Sequence, residues 1–260
     1  MKNNVTTLMA AFVLVVLTVD TTIASSLEQW LVPTKYIESG HAAIIAAVDK
    51  AVGSEKDPVK RAVKIHDFVR DEIRFGWSSA FYNQSASQVL DTGYGFCNTK
   101  GTLFVAMLRA AGIPARQHFV SINAEIIADF ISPGSAYVDH SYAEVFLDGK
   151  WLSVDSYIVD SHLFNSARAV LIRESRKIGY GIHQNGSLEW DGISDSFAQF
   201  VNDGAHPNLT KTDFGIFADV GEFYASGKAI NKLGAIGKLF FSIAKSGANK
   251  KIEKLRVESE

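Results

Sequence analysis

The pair Asp148-Gly149 joins two extended stretches, and it constrains the fold more than any other feature of this 260-residue chain. Residues 140–147 (HSYAEVFL) precede the pair, and residues 151–155 (WLSVD) follow it almost at once. Asp-Gly is a preferred sequence for a two-residue type I′ turn, whose twist matches that of paired antiparallel strands. The sequence therefore predicts a β-hairpin whose two arms belong to one antiparallel sheet.

The two-residue turn also predicts which residues face one another. Leu147 pairs with Lys150, and the continued ladder brings Tyr142 opposite Asp155. Because side chains alternate between the two faces of a strand, His140 shares a face with Asp155. These two are diagonal neighbours about 7 Å apart, close enough for an imidazole to reach a carboxylate. The other face is predicted to join the core and carries Ala143, Val145, Leu147, Leu152 and Val154.

A helix is predicted directly after Cys97. Apolar residues recur there at helical spacing, Gly112 supplies a helix stop, and Pro114 prevents continuation. The apolar positions are Leu103, Phe104, Met107, Leu108 and Ala111. Residues 115–122 then change to an extended pattern. The order helix, strand, strand, strand predicts an α+β fold in which the cysteine helix packs on an antiparallel β-sheet.

Helices are also predicted on the N-terminal side of this region. Residues 41–52 and 59–73 each read as a helix, and Asp57 is the predicted N-cap of the second. Ser85 and Gln88 have the spacing of a capping box, which opens a short third helix. These N-terminal helices are expected to pack beside the cysteine helix.

The C-terminal part of the chain gives weaker patterns. Residues 156–220 are predicted to add strands and loops, and residues 221–260 are predicted to form a basic helical tail. From Lys228 onward there are eight Lys/Arg and three Glu, whereas the whole chain has a net charge of only −2. Docking of this tail onto the acidic body is expected, and contact with a membrane surface is the alternative. The near-neutral net charge does not indicate a nucleic-acid partner.

The N-terminus reads as an export signal. Lys2 is a weak positive n-region, residues 8–19 form an apolar run, and small residues precede a cleavage position after Ala24. The run is short for a membrane span, which needs roughly 20 apolar residues. Residues 1–24 are therefore predicted to be a signal peptide that directs the chain to the periplasm or outside. An uncleaved N-terminal membrane anchor is the alternative.

Cys97 is the only cysteine, so no intramolecular disulfide can form. Its place at a helix N-terminus would stabilise a thiolate, but the helix dipole is worth only about 0.3–1 kcal/mol at an exposed site. A nucleophilic Cys97 therefore needs a basic partner, usually a histidine. Lys100 is a candidate to help stabilise the thiolate, although it is expected to be a solvated surface lysine. The alternative to a nucleophilic Cys97 is a structural cysteine packed in the core. The alternative for His140 and Asp155 is that they lie on an exposed polar face of the hairpin.

Three blocks of sequence carry a resemblance to a known family. Cys97 opens a helix that ends in LRAAGIPAR (residues 108–116), residues 139–145 read DHSYAEV, and residues 148–155 read DGKWLSVD. This order resembles the transglutaminase-like superfamily over about residues 57–157. The resemblance implies a papain-like transglutaminase core, assigned here to a domain of residues 25–220.

Position by position, the resemblance places Cys97 on the family nucleophile, His140 on the general base and Asp155 on the orienting acid. It implies acyl chemistry on an amide bond of a protein or peptide substrate, through a thioester that water or an amine resolves. Hydrolysis is placed slightly ahead of transglutaminase crosslinking. The sequence departs from the family pattern at one place: Asn98 and Thr99 stand where many members have an aspartate soon after the cysteine. This departure puts the choice of substrate in question rather than the triad.

Other functions are less well supported by the sequence. A catalytically silent binding module of the same superfamily is the alternative, and the three filled triad positions argue against it. Neither a cofactor nor a metal is expected, because the histidines are scattered and no His-Glu-x-x-His motif is present. Trp77 and Gln84 are candidates for the oxyanion-stabilising group, but a structural role is expected for each.

Overall fold

The computed structural model describes residues 26–201, 210–232 and 234–257. The signal-peptide prediction for residues 1–24 lies outside these residues. Among the described helices, none has both the length and the apolar character needed to cross a membrane.

Helices and strands alternate irregularly along the chain. The helices are α1 (Ala42–Val52), α2 (Pro58–Glu72), α3 (Ala86–Thr92), α4 (Cys97–Ala110), α5 (Glu125–Ala128), α6 (Ser161–Arg173), α7 (Val220–Ala225) and α8 (Ala235–Val257). The strands are β1 (Arg74–Phe75), β2 (Tyr94–Gly95), β3 (Ala115–Asn123), β4 (Tyr137–Leu147), β5 (Lys150–Val154), β6 (Ile178–Gly179), β7 (Ile182–His183) and β8 (Thr210–Phe217). Helices and an antiparallel sheet are thus combined in the α+β arrangement that the sequence predicts.

The main sheet has four strands in the order β5-β4-β3-β8, and all its neighbouring pairs are antiparallel. The predicted hairpin is confirmed: Leu147 pairs with Lys150, and the backbone φ angles of Asp148 (47°) and Gly149 (82°) are both positive. Two positive φ angles are what a type I′ turn requires, which explains the Asp-Gly sequence. The predicted apolar face is buried in the main core, so the register and the facing of the hairpin are both confirmed.

Helix α4 is the centre of the molecule. It packs on β3 and β4 and is also contacted by α1, α2 and α3. At its start the backbone N–H of Phe96 donates to Thr99 Oγ1 (3.0 Å), and at its end Gly112 adopts a φ of 77°. The sequence predicts one apolar face, whereas nearly every side chain of α4 is buried. The polar ones among them are accommodated by hydrogen bonds.

Lys100 shows how such a polar side chain is buried. The prediction of a solvated surface lysine is wrong: Lys100 is fully buried, and its Nζ donates to the carbonyl oxygens of Arg70 (3.0 Å) and Ile73 (2.6 Å). These carbonyls lie at the C-terminal end of α2, where helix carbonyls have no partner within the helix. Burial lowers the pKa of Lys100 to about 7, although Asp160 and Asp71 oppose the shift. Lys100 therefore fastens α4 to α2 and is not placed to assist Cys97.

A Lys100→Met variant is expected to change the pH dependence of stability. The pKa of Lys100 is about 7 in the fold against an ordinary value of 10.5, so the unfolded chain binds one more proton between these values. The free energy of unfolding of the wild type, relative to the variant, should therefore rise by about 1.4 kcal/mol per pH unit in this window. Urea denaturation from pH 6 to pH 10 measures this difference, with exposed Lys60→Met as the control. A difference that stays constant across the range would contradict the burial of a titrating lysine.

Residues 156–220 contain strands β6, β7 and β8, as predicted, but the prediction of strands and loops missed α6, which also lies within them. Asp160 is its N-cap, and its Oδ1 accepts a hydrogen bond from the backbone N–H of Leu163 (3.1 Å). Asp160 also binds Arg256 on α8, with Arg256 Nη2 2.6 Å from Asp160 Oδ2. One buried carboxylate therefore starts α6 and holds the C-terminal helix against the body.

The described C-terminal residues form two helices, α7 and α8, and the described residues between these helices are not helical. Helix α8 docks onto the body through buried Ala248, Ile252 and Leu255. Its Asn249 accepts a hydrogen bond from the backbone N–H of Trp77 (3.0 Å) and donates one to the Trp77 carbonyl (2.9 Å). This docking is the outcome expected from the charge asymmetry.

Candidate active site

Cys97 is the first residue of α4 and is 8% exposed. Its Sγ lies 3.6 Å from Asn98 Oδ1 and 3.9 Å from the carbonyl oxygen of Asp139, the residue before His140. The approach to the helix is tight: a Cβ on Gly95 would lie only 2.7 Å from the Lys100 side chain and 2.9 Å from Thr99 Oγ1. Gly95 therefore lets the chain enter α4 close to its own first turn, and this places the thiol at the helix N-terminus.

His140 lies on β4 beside the thiol and is 1% exposed. Its Nε2 is 3.1 Å from Asp155 Oδ2, which leaves the other ring nitrogen for the interaction with Cys97. Burial alone would lower the pKa of His140, but the hydrogen bonds to Asp155 and to Cys97 outweigh it and raise the pKa to about 9. The imidazolium is therefore the favoured form of His140 at neutral pH.

Asp155 follows β5 directly and is fully buried. Its Oδ1 accepts hydrogen bonds from the backbone N–H groups of Ala198 (2.5 Å) and Gln199 (3.1 Å), and its Oδ2 accepts one from Phe200 (2.7 Å). These donors hold the carboxylate in one orientation, with Oδ2 aimed at His140. Sequence reasoning missed residues 198–200, because three successive backbone amides leave no signature in the side chains.

The structure thus brings Cys97, His140 and Asp155 into one buried chain of contacts. The alternative of an exposed polar face for His140 and Asp155 is wrong, since the segment that supplies the three amides covers them. The hairpin register is the reason that two residues fifteen apart in sequence meet at hydrogen-bond distance.

The two oxyanion candidates lie in different places. Trp77 lines the same cavity as Cys97. Gln84 does not line it, and its side chain is bonded to Ser78 Oγ (2.7 Å) and Thr92 Oγ1 (3.2 Å). The structural role expected for Gln84 agrees with these contacts. The N-terminal amides of α4 are a further donor set, because the first N–H groups of a helix have no partner within it.

Asp139 is a second residue that sequence reasoning missed. Its carboxylate accepts hydrogen bonds from the backbone N–H groups of Ile230 (2.9 Å) and Asn231 (2.7 Å), and Asn231 Oδ1 accepts one from the Asp139 N–H (2.7 Å). Burial raises the pKa of Asp139, and the two amide donors oppose that shift. These bonds fasten the stretch between α7 and α8 beside the carbonyl that touches Cys97. The sequence alone does not indicate that Asp139 binds the backbone amide of Ile230, 91 residues away.

A cavity of about 150 Å³ opens beside Cys97 and His140. Most of its lining is aromatic or aliphatic. The apolar lining residues include Phe75, Trp77, Phe81, Ile126, Ile131 and Phe241. The reacting atoms of the candidate triad therefore lie at the edge of an apolar space.

These features define a class of protein: an α+β fold with a cysteine at the N-terminus of its central helix and a His-Asp pair on a neighbouring hairpin. Residues 45–156 match the sequence profile of the transglutaminase-like superfamily. This match confirms the resemblance to that superfamily that was noted from the sequence. Cys97, His140 and Asp155 all lie within the matched region.

Comparison with individual proteins gives more distant matches. The chain is 29% identical over 168 residues to an uncharacterized protein of Haemophilus influenzae, covering 56% of this chain and 44% of the relative. The match therefore spans less than half the length of that relative.

Two solved structures are also similar to parts of the chain. One is a candidate cysteine protease from Cytophaga hutchinsonii, with 20% identity, coverage of 49% of this chain and 40% of the other, and a TM-score of 0.40. The second is a candidate protease from Parabacteroides distasonis, with 17% identity, coverage of 49% and 25%, and a TM-score of 0.33.

Proposed function

We propose that this protein performs thiol-dependent acyl chemistry on amide bonds, with Cys97 as nucleophile, His140 as acid and base, and Asp155 as the residue that orients His140. The observation that carries the proposal is the buried contact chain from Cys97 through His140 to Asp155, with Nε2 3.1 Å from Oδ2. An imidazolium beside a thiol stabilises the thiolate, which is the nucleophilic form. A carboxylate that accepts from the far ring nitrogen fixes the tautomer and supports the imidazolium.

In the first half of the reaction the Cys97 thiolate attacks the carbonyl carbon of the amide and forms a C–S bond. The N-terminal amides of α4 are the proposed donors to the developing oxyanion, and they act in a buried site where such donors are most effective. His140 then passes its proton to the amide nitrogen, the C–N bond breaks, and the amine leaves. Cys97 is left as a thioester and His140 as a neutral base.

In the second half, neutral His140 takes a proton from the molecule that attacks the thioester. Water gives a carboxylic acid and completes hydrolysis, whereas an amine gives a new amide and completes transfer. Hydrolysis is proposed ahead of transfer because Cys97 is only 8% exposed. Water reaches a thioester in such a site more readily than an amine carried on a second protein does.

Product analysis tests this proposal. The purified protein is incubated with a library of acylated peptide amides, with and without a fluorescent primary amine. Released ammonia, new amino termini and incorporated amine are measured in parallel. The proposal predicts hydrolytic products that require Cys97, and little amine incorporation, so Cys97→Ala is the matched control.

Three outcomes would contradict parts of this proposal. Amine incorporation that exceeds hydrolysis would replace hydrolysis with transfer and leave the nucleophile unchanged. Products that persist in the Cys97→Ala protein would remove the thiol from the chemistry. A Cys97→Ala protein with full biological activity would instead support a silent binding module.

A further inference from the structure

The cavity beside Cys97 has three walls that come from distant parts of the chain. The connection between β3 and β4 supplies Ile126 and Ile131, and the region after α2 supplies Phe75 and Trp77. The C-terminal side supplies Phe241, whose ring centroid lies 4.8 Å from that of Phe81. Since Phe241 belongs to α8, the docked C-terminal helix forms part of the lining.

Most of the polar side chains in this lining have hydrogen-bond partners within the protein. Asp139 accepts from two backbone amides of the C-terminal stretch, and Gln199 Nε2 donates to the carbonyl of Gly181 (2.5 Å). His140 is bound to Asp155 and Asn231 to Asp139. Within the described part of the chain, the lining includes no Lys, Arg or Glu. The ionisable side chains Asp139 and His140 are already held by protein partners, so a further charged group that entered the cavity would lose its hydration with little compensation, which is unfavourable.

The size of the cavity limits what it can hold. Its volume of about 150 Å³ matches that of an engineered apolar cavity, about 150 Å³ and lined by Leu, Ile and Phe, that binds benzene. A phenyl or isobutyl group has the right dimensions and the right polarity for this space. Burying such a side chain is favourable by an amount that corresponds to about 10- to 100-fold in an equilibrium or rate constant.

We propose that this cavity is a specificity pocket for a Phe- or Leu-sized apolar side chain on the acyl side of the scissile amide. The inference rests on the proposed role of Cys97, because the acyl group stays bonded to Sγ after the amine leaves. The cavity begins at Cys97, so a side chain next to the attacked carbonyl enters it directly. The substrate class is thus an amide whose acyl residue is large and apolar, and not one whose acyl residue is charged.

A set of chloromethyl ketones tests the pocket directly. Acetyl-Phe, acetyl-Leu, acetyl-Gly and acetyl-Asp chloromethyl ketones share one electrophile, and Sγ displaces chloride from each to form a thioether. The second-order rate of Cys97 modification is measured by mass spectrometry. We expect the Phe and Leu reagents to react about 10- to 100-fold faster than the Gly reagent. The Asp reagent should react no faster than the Gly reagent.

Two variants sharpen the test. Ile131→Trp places a large ring at the partly buried rim of the cavity and should reduce the Phe-to-Gly rate ratio by about tenfold or more. Ile172→Trp, at a 57% exposed position on α6, is the control and should leave the ratio unchanged. Reaction with iodoacetamide, which carries no side chain, is measured in each variant to normalise the rates, and Ile172→Trp should match the wild type.

The failure of this inference is distinct from failure of the proposed function. The rate ratio between two chloromethyl ketones cancels the intrinsic reactivity of the thiol, so it reports on the pocket alone. A Phe-to-Gly ratio near one, or a ratio that Ile131→Trp leaves unchanged, would overturn the pocket. Iodoacetamide that reacts equally fast with wild type and His140→Ala would instead count against the activated thiol.

Discussion

The Asp155→Ala protein is expected to lose about 3–5 kcal/mol of unfolding free energy, a large share of the stability of a domain. The fully buried carboxylate accepts hydrogen bonds from His140 and from three backbone amides, those of Ala198, Gln199 and Phe200. Removing it leaves those amides and the ring nitrogen buried without a partner, and each unsatisfied group costs about 1–3 kcal/mol. The variant should also lose the raised pKa of His140, since the Asp155 hydrogen bond is the largest cause that raises it.

Chemical denaturation measures this loss. Asp155→Asn has nearly the same shape and keeps an acceptor oxygen, so its unfolding free energy should lie between those of the wild type and Asp155→Ala. Asp91→Ala, at an exposed position on α3, is the matched control and should stay within about 0.5 kcal/mol of the wild type. An Asp155→Ala protein as stable as the control would contradict the buried hydrogen-bond network.

The sequence predicts the centre of this fold well because its signals there are local. The Asp148-Gly149 turn requires two positive φ angles, and one turn type then sets the register of both strands. The helix after Cys97 has a defined stop at Gly112, where the φ of 77° favours glycine. The turn alone is enough to place His140 near Asp155, and both signals are independent of distant parts of the chain.

Errors arise where burial is decided by contacts far along the sequence. Lys100 reads as a surface residue because nothing nearby shows that the end of α2 offers two free carbonyls to it. Helix α6 is an exception, because the sequence does carry its signals: Asp160 is a normal N-cap, and apolar residues recur at helical spacing at Leu163, Phe164, Ala167, Val170 and Leu171. The amides that hold Asp155 come from residues 198–200, more than forty positions away, and backbone donors carry no sequence pattern at all.

The cavity is the clearest example of information that only the fold supplies. Its walls join Phe75, Ile131 and Phe241, which are separated by up to 166 positions and share no motif. The basic C-terminal segment was expected to dock, but its charge gave no indication that Phe241 would line a space beside the thiol. The proposed substrate preference therefore follows from packing rather than from the family motifs.

Replacing His140 with alanine is expected to slow alkylation of Cys97 strongly at low pH. The pKa of His140 is raised to about 9, so the imidazolium that stabilises a thiolate is present below that pH and is lost above it. A thiol without such a partner has a pKa of about 8.5 and is only about 0.3% ionised at pH 6. The greater nucleophilicity of a more basic thiolate recovers part of this difference, so the expected loss at pH 6 is about 10- to 100-fold.

The measurement that tests the central claim is the pH profile of iodoacetamide modification of Cys97, from pH 5 to pH 9.5, in wild type and His140→Ala. Because the His140 imidazolium is present below about pH 9, the wild type should react faster than His140→Ala throughout that range. The ratio of the two rates should be largest at pH 6 and fall as the pH rises through 9. Profiles that coincide across the whole range would contradict an activated Cys97–His140 pair.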